Sequence, residues 1–303
     1  MIGGMVKGIF CPICNSHEVR SFKPISGYWF CFQCRTAWVK SFPKVEYGEG
    51  YYKGKSGLAG KLFSPIASFF YMLRIYYVGF SKKNVWLDVG AGDGVFLSKV
   101  NASKKIGVEV SSAGRKRMKS LGIETMSEKR YLKSKELKAE IISFWHVLEH
   151  VEKPWEYLKA AKSNLKVGGK IVVAVPNIDS LEFRLFKGFW FHLQKPYHLW
   201  HFSIYSICRL MENAGFKIVK RDSFSLEHHF SGVLQSFINR FARNQNVLQR
   251  IIKRNIKGKS ISQIDVFWSI FWLTAGLPII ILFWLAGSIF QKPGTVVVVG
   301  SLK

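Results

Sequence analysis

The chain has 303 residues, 48% of them hydrophobic, which is enough for one large domain with a buried core and smaller appended segments. Its formal net charge is +26, from 45 Lys and Arg against 19 Asp and Glu. This composition excludes a disordered chain and predicts a negatively charged partner, although charge alone does not distinguish an acidic surface, a polyanion or a membrane.

Four of the five cysteines form two close pairs near the beginning of the chain, Cys11 with Cys14 and Cys31 with Cys34. Two such pairs supply four thiolates for tetrahedral zinc and leave no coordination position open for chemistry. We therefore predict a structural zinc ribbon over residues 1–45, folded mainly by its metal. Because the first ten residues lack an export signal, a reducing cytoplasm is the expected location.

The next regions are predicted to be a connector at 46–83, which includes a lid helix or core helix, and a core domain at 84–225. The core alternates short apolar runs with amphipathic runs, which is typical of parallel strands covered by helices. One predicted helix begins at Pro154, ends at Leu165 and is closed by Gly168 and Gly169. The predicted strands are Val85–Val89, Ile106–Val110, Ile123–Met126, Ile141–Phe144, Ile171–Val175, Phe216–Lys220 and, after an insertion, Thr295–Val299.

The first strand carries Asp88 and leads into the glycine-rich turn Gly90–Gly94. Alternate glycines allow the backbone to turn sharply and to approach a ligand, and the helix that follows offers free amide donors. Asp88 would repel a phosphate but attract an ammonium group, and Val95 interrupts the spacing of dinucleotide-binding loops. Glu109, at the end of the second strand, lies where an acidic side chain accepts hydrogen bonds from ribose. These residues favour S-adenosylmethionine over a dinucleotide.

Residues 85–222 resemble the class I S-adenosylmethionine-dependent methyltransferases. The resemblance is carried by the glycine-rich turn, by the segment Phe144–His150 (FWHVLEH), and by Pro176, Asn177, Pro196, His198, His201, Phe202, Ser203, Gly215 and Phe216. It implies an α/β, Rossmann-like seven-stranded sheet whose final strand lies at 294–303, and some members carry a similar zinc ribbon. It also implies that the cofactor is bound by Asp88, Gly90, Ala91, Gly92, Gly94, Glu109, Phe144 and Trp145.

Methyl transfer requires an aligned acceptor and, for a hydroxyl or an acidic carbon, removal of a proton. His146 follows the fourth strand at the edge where such sheets bind ligands, and His198 lies in the segment after the fifth strand. Both are predicted catalytic residues. For each, the alternative is a structural role.

Residues 226–293 are predicted to be a basic and hydrophobic helical insertion. Its stretch 266–290 contains no formal charge and is long enough to cross a bilayer core of ~30 Å. If 295–299 forms the last strand, both ends of the stretch return to one side, which favours a hairpin turning at Gly276 and Pro278. A single span and a buried helical pair are the alternatives. The basic stretch 234–256 is predicted to lie either on anionic lipid or packed on the sheet.

The sequence thus predicts a membrane-associated zinc-ribbon methyltransferase at the cytoplasmic face of an anionic membrane. Its expected acceptor is a small or lipid-linked molecule, such as a sugar or a prenyl lipid, methylated on oxygen. One alternative is an RNA methyltransferase that uses the ribbon and the basic surface, because nucleic acid also attracts positive charge. The other is a membrane-anchored binding or scaffolding protein with an idle sheet.

Overall fold

The computed structural model describes residues 8–43, 68–78, 85–135, 137–222, 226–252 and 261–302. The chain divides into two compact units, each made of several segments. The ribbon unit comprises residues 1–45, 176–207 and 222–296, and the sheet unit comprises residues 46–175, 208–221 and 297–303. Most of the predicted connector at 46–83 lies outside the described residues.

The strands and helices are numbered in chain order through both units. The first part of the chain contains β1 (Val19–Ser21), β2 (Tyr28–Cys31), β3 (Ala37–Val39), α1 (68–76), β4 (Val85–Val89), α2 (Val95–Lys99), β5 (Lys104–Val108), α3 (Ser112–Ser120), β6 (Glu124–Met126), α4 (Glu128–Lys133) and β7 (Ala139–Trp145). The remainder contains α5 (Pro154–Asn164), β8 (Leu165–Pro176), α6 (Leu181–Phe186), β9 (Trp200–His201), α7 (Ile204–Asn213), β10 (Phe216–Asp222), α8 (Leu226–Phe241), α9 (Val247–Ile252), α10 (Gln263–Leu273), α11 (Leu277–Ile289) and β11 (Thr295–Leu302).

The sheet unit is built on seven strands in the order β10-β11-β8-β7-β4-β5-β6. The pairs β4 with β5, β4 with β7, β5 with β6, and β7 with β8 are parallel. Buried apolar residues from the strands, α2 and α3 form its core, to which α1 adds Ile75 and the turn after α1 adds Val78. All seven predicted strands are present, and β11 lies between β8 and β10. The Rossmann-like methyltransferase fold is therefore confirmed, including a last strand contributed from beyond the insertion.

The glycines expected to close α5 have a different role. The helix ends at Asn164, and β8 begins at the next residue, so Gly168 and Gly169 lie inside a strand. A Cβ atom at position 169 would lie 2.8 Å from the carbonyl oxygen of Lys166 and 3.0 Å from that of Glu140. The glycine is therefore required by a close approach of backbones beside a register shift in the β7–β8 pair.

The ribbon unit combines a four-stranded sheet, in the order β1-β2-β3-β9, with the helical insertion. The pairs β1 with β2, β2 with β3, and β3 with β9 are antiparallel. In the insertion, α8 buries Val233, Leu234, Phe237 and Ile238. Helix α8 packs against α6, α10 and α11 of the same unit, so contact of the basic stretch at 234–256 with lipid or with the sheet stays a prediction.

Candidate cofactor and metal sites

The turn after β4 is held open by glycines with positive φ angles, 73° at Gly90, 60° at Gly92 and 75° at Gly94. A Cβ atom at Gly90 would lie 2.5 Å from Val147, and one at Gly94 would lie 2.4 Å from Met118. A Cβ atom at Gly92 would have no described protein atom within 4 Å. Two of the glycines thus permit tight packing, whereas Gly92 borders open space that a ligand can occupy.

Asp88 is buried beneath this turn and is held by the neighbouring strand. Its Oδ1 accepts a hydrogen bond of 2.6 Å from the Ser143 hydroxyl, which accepts one of 2.9 Å from the indole of Trp86. Burial raises the pKa of Asp88 to about 7, against the lowering effects of Ser143 and the positive charge of Arg74. A carboxylate held in this way can be stabilised by an incoming cation.

Glu109 connects the glycine-rich turn to the beginning of α3. Its two carboxylate oxygens accept hydrogen bonds of 2.9 Å from the backbone amides of Gly92 and Ser111. A Cβ atom on Gly114 of α3 would lie 2.7 Å from the carbonyl oxygen of Gly92, so the helix packs directly on the turn. A carboxylate is a hydrogen-bond acceptor of the kind that ribose hydroxyls require. Ribose binding by Glu109 stays a prediction.

The end of β7 presents aromatic side chains beside a cation. The Arg74 guanidinium lies 5.1 Å from the Trp145 ring and 5.4 Å from the Phe96 ring, and these two rings meet edge to face. The indole N–H of Trp145 has no hydrogen-bond partner among the described residues, although it is buried. Phe144 is fully buried in the core. The indole N–H of Trp145 is therefore the only polar side-chain group at these two predicted cofactor positions.

His146 and Glu149 form a hydrogen-bonded pair just beyond β7. The distance from His146 Nδ1 to Glu149 Oε1 is 3.2 Å, and the Glu149 side chain is fully buried. His146 has a φ angle of 57°, and its amide donates to the carbonyl oxygen of Ala174. A positive φ is rare for residues other than glycine and is found disproportionately at functional sites. In this arrangement the Glu149 carboxylate fixes the orientation of the His146 ring through Nδ1. The other ring nitrogen could then act as a base.

His198 lies in the ribbon unit, where it is buried. Its carbonyl oxygen accepts a hydrogen bond of 2.7 Å from the Tyr28 hydroxyl, and its ring lies 6.1 Å from that of His201. The catalytic roles of His146 and His198 stay predictions. His192 is also buried, beside Gly232 of α8.

The four paired cysteines converge as the sequence predicts. The Sγ atoms of Cys11 and Cys34 are 3.5 Å apart, as are those of Cys14 and Cys31, and all four lie within 4.8 Å of one another. These distances are too long for disulfides, and four thiolates this close need a cation between them. Each pair is followed by a left-handed residue, Asn15 or Arg35. The cluster fits the zinc ribbon.

Three residues support these sites through contacts that the sequence did not indicate. Ser143 is the register partner of Asp88 across the β4–β7 pair, and a lone polar residue in an apolar strand was the available signal. Glu149 stands three residues after His146, a spacing compatible with an interaction within one turn. Arg74 belongs to a segment whose distance from Asp88 the sequence did not reveal.

The seven-stranded order together with a glycine-rich turn over a buried acid defines a class I methyltransferase fold. A family described as a methyltransferase domain matches residues 66–221, about half of the chain. The chain belongs to this methyltransferase family, which uses S-adenosylmethionine. No curated protein matches it.

Similar solved structures are distant in sequence. The complex between the Haloferax volcanii Trm112 methyltransferase activator and a candidate methyltransferase is 11% identical, with a TM-score of 0.50, covering 85% of this chain and 99% of that one. An S-adenosylmethionine-dependent methyltransferase from Archaeoglobus fulgidus is 19% identical, with a TM-score of 0.46, covering 78% and 93%. Phosphoethanolamine N-methyltransferase 2 from Haemonchus contortus, in complex with S-adenosylmethionine, is 13% identical, with a TM-score of 0.49, covering 77% and 52%. The first of these similarities supports the fold alone.

Cofactor affinity is expected to depend on pH through Asp88. The ammonium group of the cofactor favours the ionised carboxylate, so binding releases a proton at pH values below the raised pKa of about 7. The affinity should therefore fall as the pH drops below 7, by at most about tenfold per pH unit, and level off above it. Calorimetry at several pH values measures this dependence. Asp88→Asn should bind weakly with little pH dependence, and an equally steep dependence in this variant would contradict the assignment.

Proposed function

We propose that this methyltransferase acts at an anionic membrane surface and transfers a methyl group to an oxygen atom of a small or lipid-linked acceptor, such as a sugar or a prenyl lipid. The membrane part of the proposal is supported chiefly by the apolar surface of α10 and α11. The oxygen acceptor is supported by the need for a base and by the His146–Glu149 pair.

The helices α10 and α11 expose large apolar side chains over most of their length. Leu282 is 67% exposed and Phe267 is 59% exposed. The other exposed apolar residues are Ile264, Val266, Ile270, Leu273, Ile279, Ile281, Leu285, Ile289 and Phe290. A contiguous surface of this kind is unfavourable in water and marks a site of protein or membrane contact. Because residues 266–290 include no formal charge, nothing in this stretch opposes insertion into lipid.

The buried face of this helix pair packs on α8 of the same unit. Trp272 packs on Phe237 of α8 at 4.5 Å between ring centroids, and Trp268 stacks on Phe241 at 4.7 Å. Asp265 caps α10 together with Ser262 and accepts hydrogen bonds from the amides of Arg243 and Asn244. The pair therefore presents a defined apolar face and is not a loose tail.

The geometry of the pair favours shallow insertion. Within the described residues, no single helix is long and apolar enough to cross a membrane. The two helices together pass that test by length and composition, but they are bent by 66° at a short break. A bent, one-sided apolar pair with both ends returning to the protein suits a hairpin in the interface. Arg240, Arg243 and Arg250 precede the pair, and their charge complements anionic headgroups.

The chemistry assigned to the sheet unit is an in-line displacement at the methyl carbon of a sulfonium. Asp88, Glu109 and the glycine-rich turn would hold the polar parts of S-adenosylmethionine, which would supply the activated methyl group. His146 accepts the proton from the acceptor hydroxyl, while Glu149 holds the ring orientation. With the cofactor bound, the acceptor oxygen would take the methyl group and the sulfonium would leave as a neutral thioether.

Membrane binding is tested by cosedimentation of the full chain with vesicles. Binding is expected with vesicles that contain an anionic phospholipid and should be weaker with neutral ones. Burying one large apolar side chain contributes about 1.5–3 kcal/mol, so Leu282→Asp combined with Phe267→Asp should weaken binding by at least about 100-fold. The matched control is Val167→Asp, at an exposed apolar residue of the sheet unit. Failure of the native chain to bind any vesicle would contradict the proposed location.

The acceptor is tested by incubating the protein and a labelled methyl donor with lipid, glycan and RNA extracts, followed by mass spectrometry. The proposal expects a label on oxygen in a lipid-linked or small acceptor, lost in His146→Gln. A labelled product confined to RNA would contradict it.

RNA methylation is the second candidate function, and the ribbon gives it a specific observation. Arg20 lies 5.1 Å from the ring of the exposed Phe32, and Lys40 lies 4.2 Å from the ring of Trp29. Paired cations and aromatic rings suit phosphates and stacked bases. Binding to RNA that weakens steeply with salt, without binding to vesicles, would favour this candidate.

A further inference from the structure

The cysteine ribbon is joined to residues 194–203, the segment that carries His198, by a set of contacts inside the ribbon unit. Strand β3 pairs with β9, with Ala37 opposite His201 and Trp38 opposite Trp200. The amide of Val39 also donates to the carbonyl oxygen of Leu199 at 3.0 Å. The segment therefore completes the sheet of the ribbon as its fourth strand.

Side-chain hydrogen bonds also join the ribbon to this segment, with donors on each of the two. The Thr36 hydroxyl donates to the carbonyl oxygen of His201 at 3.1 Å, and the Ser203 hydroxyl donates to the carbonyl oxygen of Cys34 at 2.7 Å. Lys195 donates to the carbonyl oxygen of Ser26 at 2.6 Å. Cys34 is itself one of the four clustered thiols, so one contact reaches the proposed metal ligands directly.

Tyr28 makes the contact nearest to His198. It lies in β2, it is almost completely buried, and its hydroxyl donates to the carbonyl oxygen of His198 at 2.7 Å. Burial raises the pKa of Tyr28 to about 12, so the hydroxyl stays protonated and remains a donor. Its ring also lies 5.2 Å from that of His201. The backbone carbonyl groups of His198 and of the next residue, Leu199, are therefore both held by the ribbon.

We infer that the ribbon is a positioning element for His198, through Tyr28 and the β3–β9 pair, and that metal binding by its four cysteines maintains the order of residues 194–203. A small sheet with four clustered thiols depends on its metal for folding, and loss of the metal removes the strand on which this segment is paired. The use of His198 in the reaction is the separate prediction made from the sequence, and the coupling between the metal and the segment does not depend on it or on the proposed function.

Hydrogen–deuterium exchange on the full chain tests the coupling without reference to activity. Stripping zinc with a chelator, or Cys14→Ser, should speed amide exchange in residues 194–203 by at least about tenfold, because exchange follows the free energy of local opening. Exchange in residues 85–115 and the affinity for S-adenosylmethionine should change by less than about twofold. Faster exchange limited to residues 8–43 would overturn the inference and make the ribbon an independent module.

Tyr28→Phe tests the positioning of His198 with the ribbon intact. Loss of one buried hydrogen bond should speed exchange around residues 197–199 by about fivefold, with zinc content unchanged. The matched control is Tyr205→Phe, which makes the same change at an exposed residue of α7. If His198 handles a proton in the reaction, only Tyr28→Phe should shift the pH profile of kcat/KM. Unchanged exchange and an unchanged profile in Tyr28→Phe would overturn the role of Tyr28.

A split outcome separates this inference from the proposed function. Coupled exchange together with no detectable methyl transfer would contradict the proposed function and leave the positioning intact. Uncoupled exchange in an active enzyme would contradict the positioning alone.

Discussion

Gly92→Ala is expected to weaken binding of S-adenosylmethionine by about 100-fold while leaving the chain folded. The affinity should fall because overpacking a tight contact costs ~1–3 kcal/mol. The added methyl group meets no described protein atom within 4 Å, so it would project into the space assigned to the ligand. Its φ angle of 60° adds a strain of roughly 1–2 kcal/mol, which a chain of this size should tolerate. Calorimetry measures the affinity, and thermal unfolding measures the strain.

Gly122→Ala is the matched control for this strain. Gly122 has a φ angle of 71°, and a Cβ atom there also has no described protein atom within 4 Å. The two substitutions should lower the unfolding temperature by similar amounts, but only Gly92→Ala should lose the cofactor. Equal affinity in both variants would show that the open space beside Gly92 is not the binding site.

His146→Gln is expected to lower kcat by about 10²–10⁴-fold with little change in cofactor affinity, which is the usual contribution of a positioned general base. The pair formed with the buried Glu149 and the positive φ angle are the observations behind this expectation. Single-turnover kinetics with the acceptor found by mass spectrometry measures the effect on the chemical step.

Two further variants make this result specific. His17→Gln changes an exposed histidine of the ribbon and should leave kcat unaltered. Glu149→Gln should lower kcat less than His146→Gln, because it removes the group that orients the base and leaves the base itself. A full rate in His146→Gln would rule out the proton transfer proposed here.

The sheet could be predicted from the sequence because its signals are local. Short apolar runs, the turn beside Asp88 and the cysteine spacing each reflect a requirement confined to a few neighbouring residues. The last strand is different, since its place between β8 and β10 depends on a return across the insertion. The apolar run at 295–299 predicts a strand by itself, but its membership of the sheet was anticipated only through the resemblance to a known family.

The supporting contacts could not be predicted in the same way because they join residues far apart in the chain. The hydrogen bond from Ser143 to Asp88 and the contact of Tyr28 with His198 depend on strand register, which composition does not reveal. The prediction that Gly168 and Gly169 close α5 was wrong for the same reason. In sequence, a glycine that precedes a strand looks the same as a glycine that ends a helix. Only the close approach of the Glu140 backbone to Gly169 distinguishes the two roles.

The most direct measurement is calorimetric titration of the purified chain with S-adenosylmethionine and, separately, with a nicotinamide dinucleotide. The account predicts one molecule of S-adenosylmethionine bound per chain, a marked loss of affinity in Asp88→Ala, and no heat from the dinucleotide. Binding of the dinucleotide in place of S-adenosylmethionine, or no binding of either, would contradict the assignment of the glycine-rich turn.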